Sequence, residues 1–190
     1  MTHPITAAMT ARRSASARLL GAPAPDMQQI AAIVTAAAAA PDHGHLVPFR
    51  FLDIGPRARE RLAEAFIGRV RARSAEPAET DLAKARNKAT LGPVNLGVVA
   101  RVDRAHPKII ASDQWLSIGA ALQNMVLAAE ALGFAVAIRS GPDFSTPEAS
   151  AALGLAAGEE LVAIVAIGSA AEKLGPRARP ALERVFRRLD

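Results

Sequence analysis

Near the start of the chain stand Arg12-Arg13-Ser14-Ala15-Ser16, two guanidiniums followed by two hydroxyls. Guanidinium forks bind phosphate oxygens in pairs, and a neighbouring hydroxyl completes the shell, so this cluster suits an anion. Further on, Ala40-Pro41-Asp42-His43-Gly44-His45-Leu46-Val47-Pro48 leads into Phe49-Arg50-Phe51. A turn of Pro, Asp and Gly that carries imidazole donors and feeds an aromatic strand suits a flat polar ligand. Arg177 and Arg179 form a second arginine pair toward the other end. Together these segments predict a site for a phosphorylated, planar cofactor.

Other chemistries find less support. No G-x-G-x-x-G or G-x-x-x-x-G-K-[ST] run occurs, which leaves out the Rossmann fingerprint and the P-loop. Ser140-Gly141 lacks the preceding glycine of a nucleophile elbow. His43 and His45 beside Asp42 form an H-x-H without a clearly placed third ligand, so no metal site is assigned. With no cysteine in the chain, disulfides, thiolate metal sites and cysteine nucleophiles are excluded.

These residues need elements to hold them. Helical spacing predicts a first helix over 6–13. A second opens on Asp26, with Gln29 three residues on as a capping box, and stops at Pro41. A strand is expected over 49–54 and an amphipathic helix over 57–73, followed by a proline-containing polar loop over 76–80. A helix over 81–88, a buried strand over 94–102 and a long helix over 109–132 closed by Gly133 come next. Both faces of that long helix are apolar, more than one sheet covers, which fits either a central core helix or a subunit interface. A short strand over 135–138 enters the turn Ser140-Gly141-Pro142-Asp143. Thr146-Pro147-Glu148 starts a helix that Gly154 ends, a strand covers 161–167, and the tail carries a short basic helix. Interspersed helices and strands over 1–190 predict one layered domain, α+β or α/β.

The net charge of +5 invites a nucleic-acid reading, but the basic residues are scattered and aromatics make up only 4% of the chain, too few for a stacking platform. No nucleic-acid partner is expected. Asp113, Gln114, Gln123, Asn124 and Glu130 interrupt the most apolar stretch, so no membrane span is expected either. The first fifteen residues contain a proline and two arginines without an apolar run before a cleavage site, which points to the cytoplasm.

The order and spacing of these segments resemble the flavin-dependent nitroreductase family, in its short, minimal branch, over nearly the whole length. Arg12-Arg13-Ser14 resembles the family's Arg-(Arg/His)-Ser opening, and the 40–51 segment resembles its A-P-(S/D)-(S/H) and Q-P-W-x-F pattern. Lys84-Ala85-Arg86-Asn87, Ile138-Arg139-Ser140-Gly141 and Ile167-Gly168-Ser169 are similar to the minimal branch. The resemblance implies an α+β, three-layer α/β/α fold with a mostly antiparallel central sheet. It also implies an intertwined homodimer that binds two flavin mononucleotides (FMN) at the subunit interface.

By motif position, Arg12, Arg13 and Ser14 would hold phosphate and ribityl oxygens, joined by Arg177 and Arg179. His43, with His45 and Val47 nearby, would come from the partner chain. Arg139, Ser140 and Gly141 would flank the isoalloxazine, and Lys88 would set a cation over its pyrimidine edge. NAD(P)H would be the hydride donor, and nitroaromatics, quinones or similar small molecules the electron acceptors, in ping-pong turnover. Some relatives contact nicotinamide through the segment that is Ala129–Phe134 here, which reads physically as a poor pocket. Val47 replaces the family's polar residue, Phe49 its tryptophan and Ile138 its aromatic, and the loop after Arg73 is short. These departures bear on affinity and substrate range rather than on fold. They leave open a second reading, a flavin-binding sensor or storage protein without efficient turnover.

Overall fold

The computed structural model describes residues 3–172, 175 and 177–190. Its first helix, α1, spans Pro4–Ala11, two residues earlier than the spacing predicts, because Pro4 favours the first helical turn. The predicted capping box opens α2 (Met27–Ala38): Asp26 accepts the Gln29 N–H at 2.8 Å, and the Gln29 side chain accepts the Asp26 N–H at 3.0 Å. Between these helices a strand absent from the sequence reading, β1 (Leu20–Gly21), pairs with the far end of β5 (Glu160–Ala170). Two residues carry no readable alternation, so only pairing reveals it.

The remaining strands are β2 (Phe49–Asp53), β3 (Val94–Ala100) and β4 (Ala135–Ser140). All named strand pairs are antiparallel: β3 joins β2 to β5, and β4 lies along β5. Three-layer packing follows from the alternation of side chains. Leu96, Val98, Ala100, Val165 and Ile167 pack against α2 and the long helix α5 (Ala111–Ala131). Ile54, Val99 and Ile164 meet the opposite layer of α3 (Pro56–Arg73), α4 (Glu79–Thr90) and α6 (Pro147–Leu153). A register shift between Val98 and Val99 passes over Val162, so Leu161 joins Phe66 and Phe144 in the second cluster. This is the α+β, α/β/α architecture that the resemblance implied.

Two boundaries differ informatively. Ser140 completes β4 through pairing with Ala163, so the turn begins at Gly141, whose φ of +132° only glycine adopts readily. Strand β5 continues past Gly168, where a Cβ would lie 2.7 Å from the Gly21 carbonyl oxygen; the glycine lets β1 approach. Among the described residues of the tail, the expected basic helix is only a 3-10 turn at Leu182–Arg184. No helix among the described residues is long and apolar enough to cross a membrane.

Candidate functional site

Ala15 donates to the Val136 carbonyl at 2.8 Å, and Ser14 bridges Val136, so β4 pins the segment that follows α1. There the Arg12 guanidinium donates to Ser14 Oγ at 3.0 Å. Arg13 turns back instead: its Nη1 donates to the carbonyls of Ala11 and Arg12 at 2.8 Å each, and its Nε to Gly175 at 3.2 Å. Arg179 arrives from the other end of the chain and donates to Thr10 at 3.1 Å and Arg12 at 2.6 Å. Arg13 and Arg179 therefore cap the carbonyl end of α1, while Arg12 keeps most of its donors open among the described residues.

Partial desolvation and the nearby Arg13, Arg12 and Arg177 push the Arg179 pKa down, with Glu130 pulling the other way. Such crowding of like charge, answered by one carboxylate, suits an incoming anion. Arg12 and Arg13 line a cleft of about 560 Å³ with Glu130, Ala131, Gly133, Phe134 and Ser169. The 129–134 segment, read as a poor pocket, thus forms one wall of this cleft.

Glu130 is a residue the sequence reading saw only as an interruption of an apolar helix. Its Oε1 accepts the Arg13 N–H at 3.2 Å. Burial raises its pKa, against the lowering pull of that N–H and of Arg12, Arg13 and Arg179. A charged residue among apolar neighbours on the last turn of a helix was the available signal.

The imidazole cluster lies elsewhere. His43–His45 form a 3-10 turn, and His43 Nδ1 sits 3.3 Å from Asp113 Oδ2 in the first turn of α5. Glu130 is seventeen residues further along α5, about 25 Å at 1.5 Å rise per residue. Within one chain the structure does not bring His43 to Arg12. His45 and Val47 both have positive φ, 53° and 48°, and Asp42 Oδ2 holds the Val47 N–H at 2.7 Å. A β-branched residue in the left-handed region is a strained one.

A third cluster surrounds the end of β4. Lys88 and Arg139 line a pocket of about 370 Å³ with Ser16, Arg18, Lys84 and Asn87. Arg139 donates to the Asn87 carbonyl at 2.9 Å and to Asn95 Oδ1 at 2.6 Å, while its buried Nε has no partner among the described residues. Burial, and secondarily Arg59, lower its pKa to about 10, so it stays cationic at neutral pH. Its side chain therefore locks β4 to α4 and β3. Exposed Ser140 and Gly141 follow at the rim. No group of three potential metal ligands occurs among the described residues.

Fold and clusters together define a three-layer α+β protein with basic clefts at the ends of its sheet and long helix. The sequence model of the Nitroreductase family matches residues 9–169. A Haemophilus influenzae protein described as "Putative NAD(P)H nitroreductase" is 34% identical over 165 residues, 87% of this chain and 88% of that protein. The Escherichia coli K12 protein YdjA, which carries the same description, is 34% identical over 159 residues, covering 83% of this chain and 84% of its own.

Among solved structures, a nitroreductase-like family protein from Bacillus cereus superposes with a TM-score of 0.79 at 20% identity, covering 100% of this chain and 98% of that one. A variant of the FMN and NADPH-dependent nitroreductase NfnB from sphigopyxis sp. strain HMH gives 0.77 at 20% identity, covering 97% and 98%. The chain belongs to the nitroreductase family.

Proposed function

We propose that this protein is an FMN-dependent oxidoreductase that takes reducing equivalents from NAD(P)H. The observation that carries the proposal is that Arg12 and Arg13 line one cleft, Ser14 bonds the Arg12 guanidinium, and Arg179 reaches the same helix end from the other end of the chain. That donor set fits a phosphate monoester, and its unbalanced positive charge favours one. Arg12 and Ser14 hold the phosphate, with Arg177 and Arg179 supplying further charge from the tail. Backbone at Ser140–Gly141 and the Lys88 ammonium border the ring. The flavin, when bound, would supply the redox chemistry, linking NAD(P)H oxidation to reduction of a nitroaromatic, quinone or similar acceptor in ping-pong fashion. The chain's own task is placement and charge.

His43 belongs to the same site only if a second copy supplies it. A two-fold axis that sets two α5 helices antiparallel brings the imidazole end of one against the guanidinium end of the other. Apolar side chains are available for that contact: Ile110 is 64% and Leu116 73% exposed at the His43 end of α5. We therefore assign a homodimer with two interfacial flavins. A cytoplasmic location, where reduced nicotinamide dinucleotides are available, is part of this proposal.

An absorbance spectrum of the purified protein, with mass identification of the released chromophore, tests the reading. A yellow protein releasing FMN supports it, and a colourless one that takes up no added FMN removes it. Val47, exposed and without a polar side chain at a ligand-facing position, favours the second reading, a sensor or store of flavin. Stopped-flow mixing with NADH or NADPH separates the two, because only the enzyme loses its yellow absorbance rapidly.

A further inference from the structure

Asp143 is 8% exposed and surrounded by cations from two helices. Its Oδ1 accepts from Arg73 Nη2 at 3.0 Å and Arg69 Nε at 3.3 Å, both on α3, and its Oδ2 accepts from Lys88 Nζ on α4 at 2.7 Å. The backbone around it is fixed from both sides. Phe144 N–H donates to the Gly141 carbonyl at 3.1 Å, the Phe144 ring is fully buried against Phe66, and Thr146 Oγ1 donates to the Asp143 carbonyl at 3.2 Å. The carboxylate is thus held on a rigid turn two residues beyond Gly141.

Two arginines already satisfy a buried carboxylate. The third cation differs from them, because Lys88 lines the pocket that Arg139, Arg18 and Ser16 share, where no carboxylate contributes to the lining. A lysine ammonium on a four-carbon stem, 44% exposed, wanders unless something holds it.

We infer that Asp143 is a positioning residue that fixes the Lys88 ammonium at the rim of this pocket and, through it, sets how strongly the protein favours reduced over oxidised flavin. The inference rests on the FMN reading above. A cation held beside the pyrimidine edge stabilises the negative charge that reduction places there. Without the carboxylate, Arg69, Arg73 and Lys88 repel one another, and Lys88 loses the ion pair that holds it at the pocket.

The test uses the full-length protein loaded with FMN and measures the ratio of dissociation constants for oxidised and reduced flavin, together with the midpoint potential. Lys88→Met is expected to reduce the preference for reduced flavin about tenfold, ~30 mV for a two-electron couple. Asp143→Asn is expected to shift it in the same direction, Asp143→Glu to retain part of the wild-type preference, and the double variant to match Lys88→Met. A shift of opposite sign, no shift, or full additivity in the double variant overturns the inference.

Should Asp143→Asn fail to fold, the wild type decides. Lys88, held by a charge-assisted bond, should be acylated about fivefold more slowly than the exposed Lys108, whose ammonium has no ion pair among the described residues, read by mass spectrometry; equal rates overturn the inference. A wild type that binds no FMN instead removes the reading beneath it.

Discussion

At the scale of single residues, the two adjacent arginines are not equivalent. Arg12 donates to Ser14 Oγ and makes no other side-chain hydrogen bond among the described residues, whereas Arg13 caps α1. Arg12→Ala should therefore weaken FMN binding by about 2 kcal/mol, roughly thirtyfold, with the thermal midpoint nearly unchanged. Arg13→Ala should instead cost about 1 kcal/mol of stability through the lost cap. Flavin fluorescence titration and thermal melts separate these outcomes. Glu130 adds a carboxylate to the wall of the anion cleft, an arrangement that opposes phosphate. Glu130→Gln keeps the acceptor for the Arg13 N–H and removes about 1 kcal/mol of repulsion, so FMN should bind roughly fivefold more tightly at pH 8. Burial raises the Glu130 pKa, so in the wild type that carboxylate takes up a proton at a higher pH than an ordinary glutamate. The gap between the two proteins should accordingly close as pH falls, which titrations across the acidic range will show.

At the scale of elements, the turn before β2 stores strain where the partner's ligand is proposed to lie. Val47 has φ of +48°, and an Asn tolerates that conformation better than a β-branched side chain. Val47→Asn should raise stability by about 1 kcal/mol in urea denaturation, provided the bond from the residue-47 N–H to Asp42 Oδ2 persists. The strain itself was invisible in the sequence, because φ at Val47 depends on how the Asp42 side chain closes the turn. Long periodic elements were legible: the capping box of α2 and the apolar spacing of α3 follow from local chemistry alone. Strand β1, the extra pairing that takes Ser140 into β4 and the reach of β5 past Gly168 depend on partners distant in sequence. The site divides in the same way. Residue types pointed to candidate anion ligands, but only packing shows that Arg139 locks α4 to the sheet and that Asp143 gathers three cations.

At the scale of the whole molecule, two kinds of contact decide what the fold does beyond its core. Arg50 on β2 makes a two-point contact with Glu159, at 2.6 Å for each bond, across the end of β3. That guanidinium, with the Ala156 N–H, holds the Glu159 pKa at about 2. A carboxylate whose folded pKa is depressed contributes stability above its unfolded pKa and loses it as pH falls toward the folded value. Glu159→Gln should cost about 1 kcal/mol at pH 7, the partly exposed Arg50 limiting the effect, and almost nothing near pH 2. Thermal melts over that range check it. The second contact is the one between copies. If His43 of one chain completes the cleft of another, dimer and flavin must be lost together, because α5 keeps the two clusters of a single chain apart. Leu116, 73% exposed and one turn from Asp113, lies on the surface proposed to make that contact. Leu116→Arg should sediment as a monomer at concentrations where the wild type is a dimer, with the fold retained by circular dichroism. Its FMN affinity should fall at least about tenfold although every phosphate ligand is intact, since half of the site then resides on a separate molecule. A monomer that still binds FMN at wild-type strength would place the whole site within one chain and remove His43 from it.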